Sequence, residues 1–234
     1  MNNKKCIIIA KNAPETAKQN LENMGFYVIE STALRNVSEA LKYHPDMQIV
    51  KGNNCYICAP ECYDYYKPYF EMQNIKLVKG LATPGEKYPF DVCYNVAVVG
   101  NYAVHNFNYT DKEFLKNSNF EYIYVKQGYS KCSLCVAGKN AVITSDIGIA
   151  KSLENFEIDV LVVSVGGVTL KSYEYGFIGG ASGLIGTNML AFCGDISTHP
   201  DYKKIKCFCD RLGVEIINLT SDRLVDVGTI TLLG

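Results

Sequence analysis

The sequence predicts an α/β protein in which five β-β-α-β units form a closed ring. Three observations support this prediction. Four short segments share a hairpin-like pattern, their turn glycines are regularly spaced, and the two ends of the chain together resemble a fifth copy. The turn glycines at 52, 100, 138 and 186 are separated by 48, 38 and 48 residues, and a further 48 residues lead to Gly234. The alternative is an open α/β sheet with accidental Gly-Asn turns.

Each repeated segment consists of an apolar strand, a glycine with an asparagine close behind it, and a second apolar strand. The four segments span residues 48–58, 96–104, 134–143 and 184–192. Gly and Asn tolerate the positive φ angles of tight turns, so each segment predicts a β-hairpin. At the chain ends, an apolar run over 230–233 precedes Gly234, and Asn2-Asn3 precedes another over 6–9. We therefore expect a fifth hairpin whose turn is cut by the chain ends.

A predicted helix and then a predicted strand follow each hairpin. The helix and strand pairs are 14–24 with 26–29, 60–73 with 75–78, 111–117 with 122–125, 146–156 with 160–165, and 200–212 with 215–219. Asp146 is a suitable N-cap, and Gly213 is a suitable C-terminal stop. We expect one domain over residues 1–234. Its units are approximately 225–234 plus 1–32, 44–80, 88–128, 129–167 and 176–221.

Composition excludes several classes of partner. Lys and Arg number 23 against 24 Asp and Glu, so no basic surface for nucleic acid is predicted. Apolar runs are strand-sized, and no signal peptide is recognisable, so we expect a cytoplasmic protein without a membrane partner. The ten cysteines are then reduced thiols. The pairs Cys55/Cys58 and Cys132/Cys135 leave a zinc site or an iron–sulfur cluster as an alternative, and we expect no cofactor.

Four phrases resemble a known class of proteins. They are His44-Pro-Asp-Met-Gln48, Lys131-Cys-Ser133, Gly176-Phe-Ile-Gly-Gly-Ala-Ser-Gly183 and Val225-Asp-Val-Gly228. With the repeat, they resemble the pentein fold, a five-bladed α/β propeller of pseudo-fivefold ββαβ repeats with a split terminal blade. That class contains arginine deiminases, dimethylarginine hydrolases, agmatine deiminases, amidinotransferases and non-catalytic ribosome anti-association factors. The chain is most similar to an uncharacterised bacterial family assigned to this fold.

The resemblance implies a central channel lined by the first strand of each blade. In the enzymes the channel holds a nucleophilic cysteine, a histidine, and carboxylates that pair with a guanidinium cation. The usual cysteine comes from a stretch resembling 225–233, and the aligned position here is Gly228. No cysteine follows Cys209, and Gly-Gly-Ala-Ser-Gly replaces the His-x-Asp/Glu expected on the fourth blade. The usual nucleophile is therefore missing.

The repeat offers a substitute site. The residues six positions before the turn glycines, including Gly234, are Asp46, Tyr94, Cys132, Gly180 and Gly228. We predict Cys132 as the nucleophile and His44 as the general acid–base. The predicted substrate-binding residues are Asp46, Asp91, Lys131, Ser182 and Asp226, with Lys131 also lowering the pKa of the Cys132 thiol. Structural alternatives are a buried thiol at Cys132 and turn or capping roles for His44 and the aspartates.

Two functions remain open from the sequence. One is a Cys-dependent hydrolase or transferase acting on guanidino or amidine C–N bonds of a small cationic substrate. The other is a catalytically inactive pentein that binds a small molecule or a protein. A depressed Cys132 pKa beside a histidine favours the enzyme, and a channel plugged by Phe90, Tyr94 or Tyr129 favours the binding module. A tyrosine-rich helix over 63–69 is also consistent with a homo-oligomer.

Overall fold

The computed structural model describes residues 4–234, so Asn2 and Asn3 of the predicted cut turn lie outside the described residues. Helices α1–α6 span Glu15–Asn23, Tyr63–Met72, Lys112–Lys116, Ser130–Ser133, Ile147–Leu153 and Tyr202–Leu212. Strands β1–β17 span Cys6–Ile9, Tyr27–Glu30, Ile49–Lys51, Tyr56–Cys58, Leu77–Lys79, Ala97–Val99, Tyr102–His105, Glu121–Tyr124, Cys135–Gly138, Ala141–Thr144, Asp159–Val162, Val168–Thr169, Ser182–Leu184, Met189–Phe192, Glu215–Asn218, Leu224–Val225 and Thr231–Leu232.

Five three-stranded sheets share one connectivity, in which the first strand is antiparallel to the second and the second is parallel to the third. Their orders are β17-β1-β2, β3-β4-β5, β6-β7-β8, β9-β10-β11 and β13-β14-β15. The predicted mixed α/β class and the four predicted hairpins are confirmed. The two ends of the chain also pair, through antiparallel β17 and β1. A sixth sheet joins β12 to β16, and the sheets do not close into one continuous barrel.

A helix links the second strand to the third in each of these sheets, as a parallel pair requires. Capping residues set several ends of these helices, and the sequence predicts two of them, Asp146 and Gly213. Asp111 begins α3 by accepting a hydrogen bond from the Glu113 amide at 2.8 Å, and Asp146 begins α5 by accepting from the Ile149 amide at 2.9 Å. Gly213 ends α6 in the left-handed conformation, at φ +67°.

The conformation expected of the hairpin glycines is found at only one of them. Gly100 has φ +57°, whereas Gly52, Gly138 and Gly186 lie outside the left-handed region. The turn at Gly52 needs a small residue for another reason, because an added Cβ would lie 3.0 Å from the carbonyl oxygen of Asn117. The prediction of a hairpin was right, and its assumed backbone geometry was wrong at three turns.

The apolar core is divided into four clusters, each built around the strands and helices of neighbouring sheets. First strands of adjacent sheets also approach one another, since β13 contacts both β9 and β17. The segments that lead into these first strands consequently lie close together. Within residues 4–234, no helix combines the length and apolar character needed to cross a membrane.

Candidate functional site

Hydrogen bonds join the five segments that lead into the first strands in one continuous cycle. The bonds are Asp46 N to Gly228 O at 3.1 Å, Thr229 N to Gly180 O at 2.8 Å, Gly180 N to Cys132 O at 3.0 Å, Lys131 N to Asn95 O at 3.1 Å, and Asn95 Nδ2 to Asp46 O at 3.4 Å. Four of the five positions predicted from the repeat belong to this cycle. The exception is Tyr94, whose place is taken by Asn95.

In the segment that leads into β6, the register therefore differs by one residue from the prediction. Tyr94 is buried elsewhere, where its hydroxyl donates to the Ala82 carbonyl at 2.6 Å and lies 3.2 Å from Asp111 Oδ2. Asn95 instead accepts from the backbone amides of Lys131 and Cys132, and its Nδ2 donates to Cys132 Sγ at 3.0 Å. Asn95 is thus a positioning residue for Cys132 that sequence reasoning missed.

Four predicted site residues meet in a buried group, here called the acid–thiol cluster: Cys132, Asp46, His44 and Asp226. Each is at most 4% exposed. The Cys132 thiol donates to Asp46 Oδ2 at 3.0 Å, and His44 Nδ1 lies 3.8 Å from Asp226 Oδ1. His44 Nδ1 and Asp46 Oδ1 have no hydrogen-bond partner among the described residues. The cluster therefore has unused hydrogen-bonding capacity at buried side chains.

The electrostatics of the cluster favour a protonated thiol. Burial, followed by the negative charges of Asp46 and Asp226, raises the pKa of Cys132 well above its ordinary value of 9.0. Burial also raises the pKa of Asp46. The predicted lowering of the thiol pKa by Lys131 is wrong, because burial and the two carboxylates dominate. Lys131 Nζ donates to Thr229 Oγ1 at 2.7 Å.

Gly228, which the resemblance aligns with the usual nucleophile, has no room for a side chain. An added Cβ would lie 2.2 Å from Cβ and 2.4 Å from Cγ of His44. The residue also has φ +65°, a conformation that disfavours non-glycine residues. His44 therefore fills the space that a side chain at position 228 would need.

One side of the cluster opens into a cavity of about 280 Å³, here called the aromatic cavity. Its lining residues are Leu41, Tyr129, Cys132, Leu170, Tyr173, Glu174, Tyr175, Phe177 and Asp226. The ring of Phe177 lies 6.3 Å from those of Tyr129 and Tyr175. The described lining includes two carboxylates and neither lysine nor arginine. An apolar, aromatic cavity with negative charge at its wall suits an organic cation.

Most of the aromatic wall comes from residues 170–177, between β12 and β13. This stretch lies mainly between two predicted units, so the repeat did not identify it. Its only sequence signal is the alternation Tyr173-Glu-Tyr-Gly-Phe177 in a loop. Asp226 Oδ2 accepts from the Phe177 amide at 2.9 Å, which fixes this loop to the acid–thiol cluster.

A second cavity, of about 390 Å³, is here called the lysine cavity. Residues of β3, β6, β9, β13 and β17, the first strands of all five sheets, contribute to its wall. It contains Lys51, Lys131 and Lys139, and Asp46 is the one carboxylate among its described lining residues. The Cys132–Asp46 pair thus stands between the two cavities, because Cys132 lines one and Asp46 lines the other.

Asp91 and Ser182 are outside both described linings. Asp91 accepts from the Tyr129 hydroxyl at 2.5 Å, behind the aromatic wall, and burial raises its pKa. The Ser182 hydroxyl is buried 3.4 Å from the Gly179 carbonyl. Of the three residues considered as plugs, Phe90 is exposed, Tyr94 is buried elsewhere, and Tyr129 forms part of the wall. Within residues 4–234, no three His, Cys, Asp or Glu side chains are grouped so as to hold a metal ion.

Comparison with solved structures identifies the fold class. The chain is similar to SxtG, an amidinotransferase from Microseira wollei in the saxitoxin biosynthetic pathway. The TM-score is 0.55 at 11% identity, covering 92% of this chain and 88% of that one. The resemblance to the pentein class is therefore confirmed at the level of the fold.

Two further solved structures align at lower TM-scores. DDAH from Pseudomonas aeruginosa, in complex with citrulline, aligns with a TM-score of 0.49 at 12% identity, covering 94% of this chain and 92% of that one. The agmatine deiminase of C. jejuni aligns with a TM-score of 0.49 at 11% identity, covering 93% and 76%.

The chain belongs to the family described as "Family of unknown function (DUF6873)", whose match spans residues 8–231. No curated protein matches the chain. The family match thus covers almost the whole fold, including the acid–thiol cluster, the aromatic cavity and every described lining residue of the lysine cavity except Leu232.

Proposed function

We propose that the protein binds a small organic cation with a guanidino or amidine group in the aromatic cavity. The observation that supports this most strongly is the combination of four aromatic rings with two carboxylates around one cavity. Aromatic faces attract organic cations, and a planar guanidinium forms paired hydrogen bonds with a carboxylate. The SxtG structure belongs to an amidinotransferase, and its similarity in fold is consistent with this ligand class.

Asp226 is the carboxylate best prepared to hold such a ligand. Its oxygens accept hydrogen bonds from the Phe177 and Gly228 amides, so its orientation is fixed before a ligand binds. Within the described chain, its nearest basic partner is His44, at 3.8 Å. A buried carboxylate without a close cation gains much from a charged ligand. Glu174 adds a second negative charge from the exposed loop.

The proposed arrangement of the fold is five blades around one axis. Two observations support it: the cycle of hydrogen bonds that joins the five segments, and the lysine cavity walled by all five first strands. In this arrangement the Cys132–Asp46 pair lies on the axis, and the two cavities are opposite mouths of one channel.

Isothermal titration calorimetry with methylguanidinium and methylurea tests the proposed ligand class. The two compounds have nearly the same size and shape, but only methylguanidinium is charged at pH 7.5. We expect saturable binding of methylguanidinium and at least tenfold weaker binding of methylurea. Equal heats for both compounds, or none for either, would rule out recognition of a cation.

Three substitutions locate the binding in the aromatic cavity. Glu174→Gln removes a lining carboxylate, and Tyr175→Leu removes a ring, both at exposed positions where the fold should tolerate the change. Each should weaken methylguanidinium binding several-fold. The control is Glu121→Gln, which removes an exposed carboxylate from β8, outside the described lining. A matching loss in the control would show that overall charge, rather than the cavity, determines binding.

A second candidate function is Cys-dependent chemistry on the same ligand, because the Cys132 thiol lies in the cavity wall. The thiol proton would pass to Asp46, and Sγ would bond to the guanidinium carbon. The carbon–nitrogen bond to the leaving amine would then break as that nitrogen takes up a proton. Water would hydrolyse the resulting sulfur–carbon bond and restore the thiol. A bound cation would favour the first step by offsetting the two carboxylates that raise the thiol pKa.

Binding and catalysis are separated by Cys132→Ser. An amidine-bearing electrophile should label Cys132 selectively if the chemistry operates, and arginine or agmatine should slow the labelling. The Cys132→Ser variant should then retain methylguanidinium binding while losing product formation. Labelling spread over many cysteines, with binding intact, would leave the binding function and remove the catalytic one.

A further inference from the structure

We infer that the lysine cavity binds a small organic anion, namely a carboxylate or phosphate group attached to an apolar body. This site differs from the proposed cation site, because the described linings of the two cavities have no residue in common. A ligand here would have the opposite charge and would lie on the other side of Asp46, so the two sites can be occupied independently.

The positive charge of the lysine cavity favours an anionic ligand. Lys51, Lys131 and Lys139 all contribute to its wall, and none forms an ion pair with an Asp or Glu side chain within residues 4–234. Lys131 Nζ is bonded to the Thr229 hydroxyl, and Lys51 Nζ to a backbone oxygen of Gly234 at 2.6 Å. Each ammonium group has three donors, so both have hydrogen bonds left to give. Lys51 is exposed as a residue, but partial burial of its amine lowers the pKa of this lysine.

Asp46 is the one acidic side chain in the described lining, and its state is compatible with an anion. Its Oδ2 accepts the Cys132 thiol proton, while its Oδ1 is buried and has no hydrogen-bond partner. Burial raises the pKa of this carboxyl, which lowers its tendency to carry a negative charge that would repel an anion.

The remaining wall of the lysine cavity is mainly apolar. The five first strands and the residues next to them contribute apolar side chains, including Ile49, Val98, Val136, Leu184, Leu232 and Tyr56. A free inorganic ion would contact little of this surface. A ligand with an apolar body would remove this surface from water, which favours binding. The volume of about 390 Å³ is in the range of small-molecule sites.

Calorimetric titrations with hexanoate, hexyl phosphate and hexanamide test the inference on the full-length protein. The three probes have the same six-carbon body and differ in charge and head group. We expect at least one of the two anions to bind at least tenfold more tightly than hexanamide, and the tighter anion identifies the head group. Binding of hexanamide as tight as that of both anions, or no binding of either anion, would overturn the inference.

Lysine substitutions then locate the site. Lys139→Met and Lys131→Met should each weaken the preferred anion at least fivefold, and the exposed Lys203→Met on α6 is the matched control. Lys139 is exposed and outside the acid–thiol cluster, so this variant remains informative even if Lys131→Met unfolds. An unchanged affinity in Lys139→Met, or an equal loss in Lys203→Met, would contradict the assigned site. Methylguanidinium titrations of the same variants report separately on the aromatic cavity.

Discussion

Replacing Gly228 by alanine tests whether His44 excludes a side chain from the position of the usual nucleophile. Two costs are expected. A non-glycine residue in the left-handed region costs about 1–2 kcal/mol, and forcing an atom into a packed site costs about 1–3 kcal/mol more. The second cost applies because the new Cβ would lie 2.2 Å from Cβ of His44. We therefore expect Gly228→Ala to lower the free energy of unfolding by about 2–5 kcal/mol.

Gly213→Ala is a matched control for the backbone contribution. Gly213 has φ +67° against +65° at Gly228, and an added Cβ at Gly213 would meet no atom within 4 Å. Urea unfolding of both variants separates the clash from the backbone strain. Gly228→Ala should be the less stable variant by about 1–3 kcal/mol. Equal destabilisation would mean that position 228 has space for a side chain, and the reasoning about His44 would be refuted.

Three further predictions concern a histidine, a capping aspartate and the thiols. Burial lowers the pKa of His105 to about 4 from 6.5, so the unfolded chain takes up a proton first as the pH falls. The contribution of neutral His105 to the free energy of unfolding should therefore be fully present above pH 6.5 and fall by up to about 3 kcal/mol towards pH 4. A His105→Gln variant with an unchanged pH slope in urea unfolding would contradict this. Asp111→Ala should lower the free energy of unfolding by about 2–4 kcal/mol, against about 1 kcal/mol for Asp146→Ala. The difference is expected because Asp111 accepts hydrogen bonds from two loop amides as well as capping α3. Equal losses on thermal unfolding would show that the loop bonds contribute nothing. At pH 8 without ligand, iodoacetamide should modify exposed Cys207 at least tenfold faster than buried Cys132, and mass spectrometry showing comparable rates would contradict the protonated thiol.

Local signals in the sequence predicted much of the fold. Gly-Asn turns between apolar runs are short-range features, and all four hairpins form where that pattern occurs. Asp146 and Gly213 likewise act on helix ends through bonds to their own neighbours. The acid–thiol cluster was also predictable, since its four members lie at or within two residues of the positions that the repeat brings together. The hairpins and helix ends needed only short-range patterns, whereas the cluster was predicted from the repeat spacing together with the resemblance to the pentein fold.

Features that depend on three-dimensional surroundings could not be obtained in this way. The prediction placed Tyr94 where the structure has Asn95, and spacing alone does not resolve a register error of one residue. The raised pKa of Cys132 depends on burial and on two carboxylates from distant segments, whereas the sequence shows only the adjacent Lys131. The aromatic cavity depends on a loop outside the repeat, where no periodicity indicates which side chains turn inward.

The most direct test of the central claim is a crystal structure of the protein soaked with agmatine. We predict electron density in the aromatic cavity, with the guanidino group within hydrogen-bonding distance of Asp226 and stacked on at least one of the rings of Tyr129, Tyr173, Tyr175 and Phe177. An empty aromatic cavity in crystals held at a saturating concentration, or agmatine bound only at another surface, would contradict the proposal that this cavity recognises a guanidino cation.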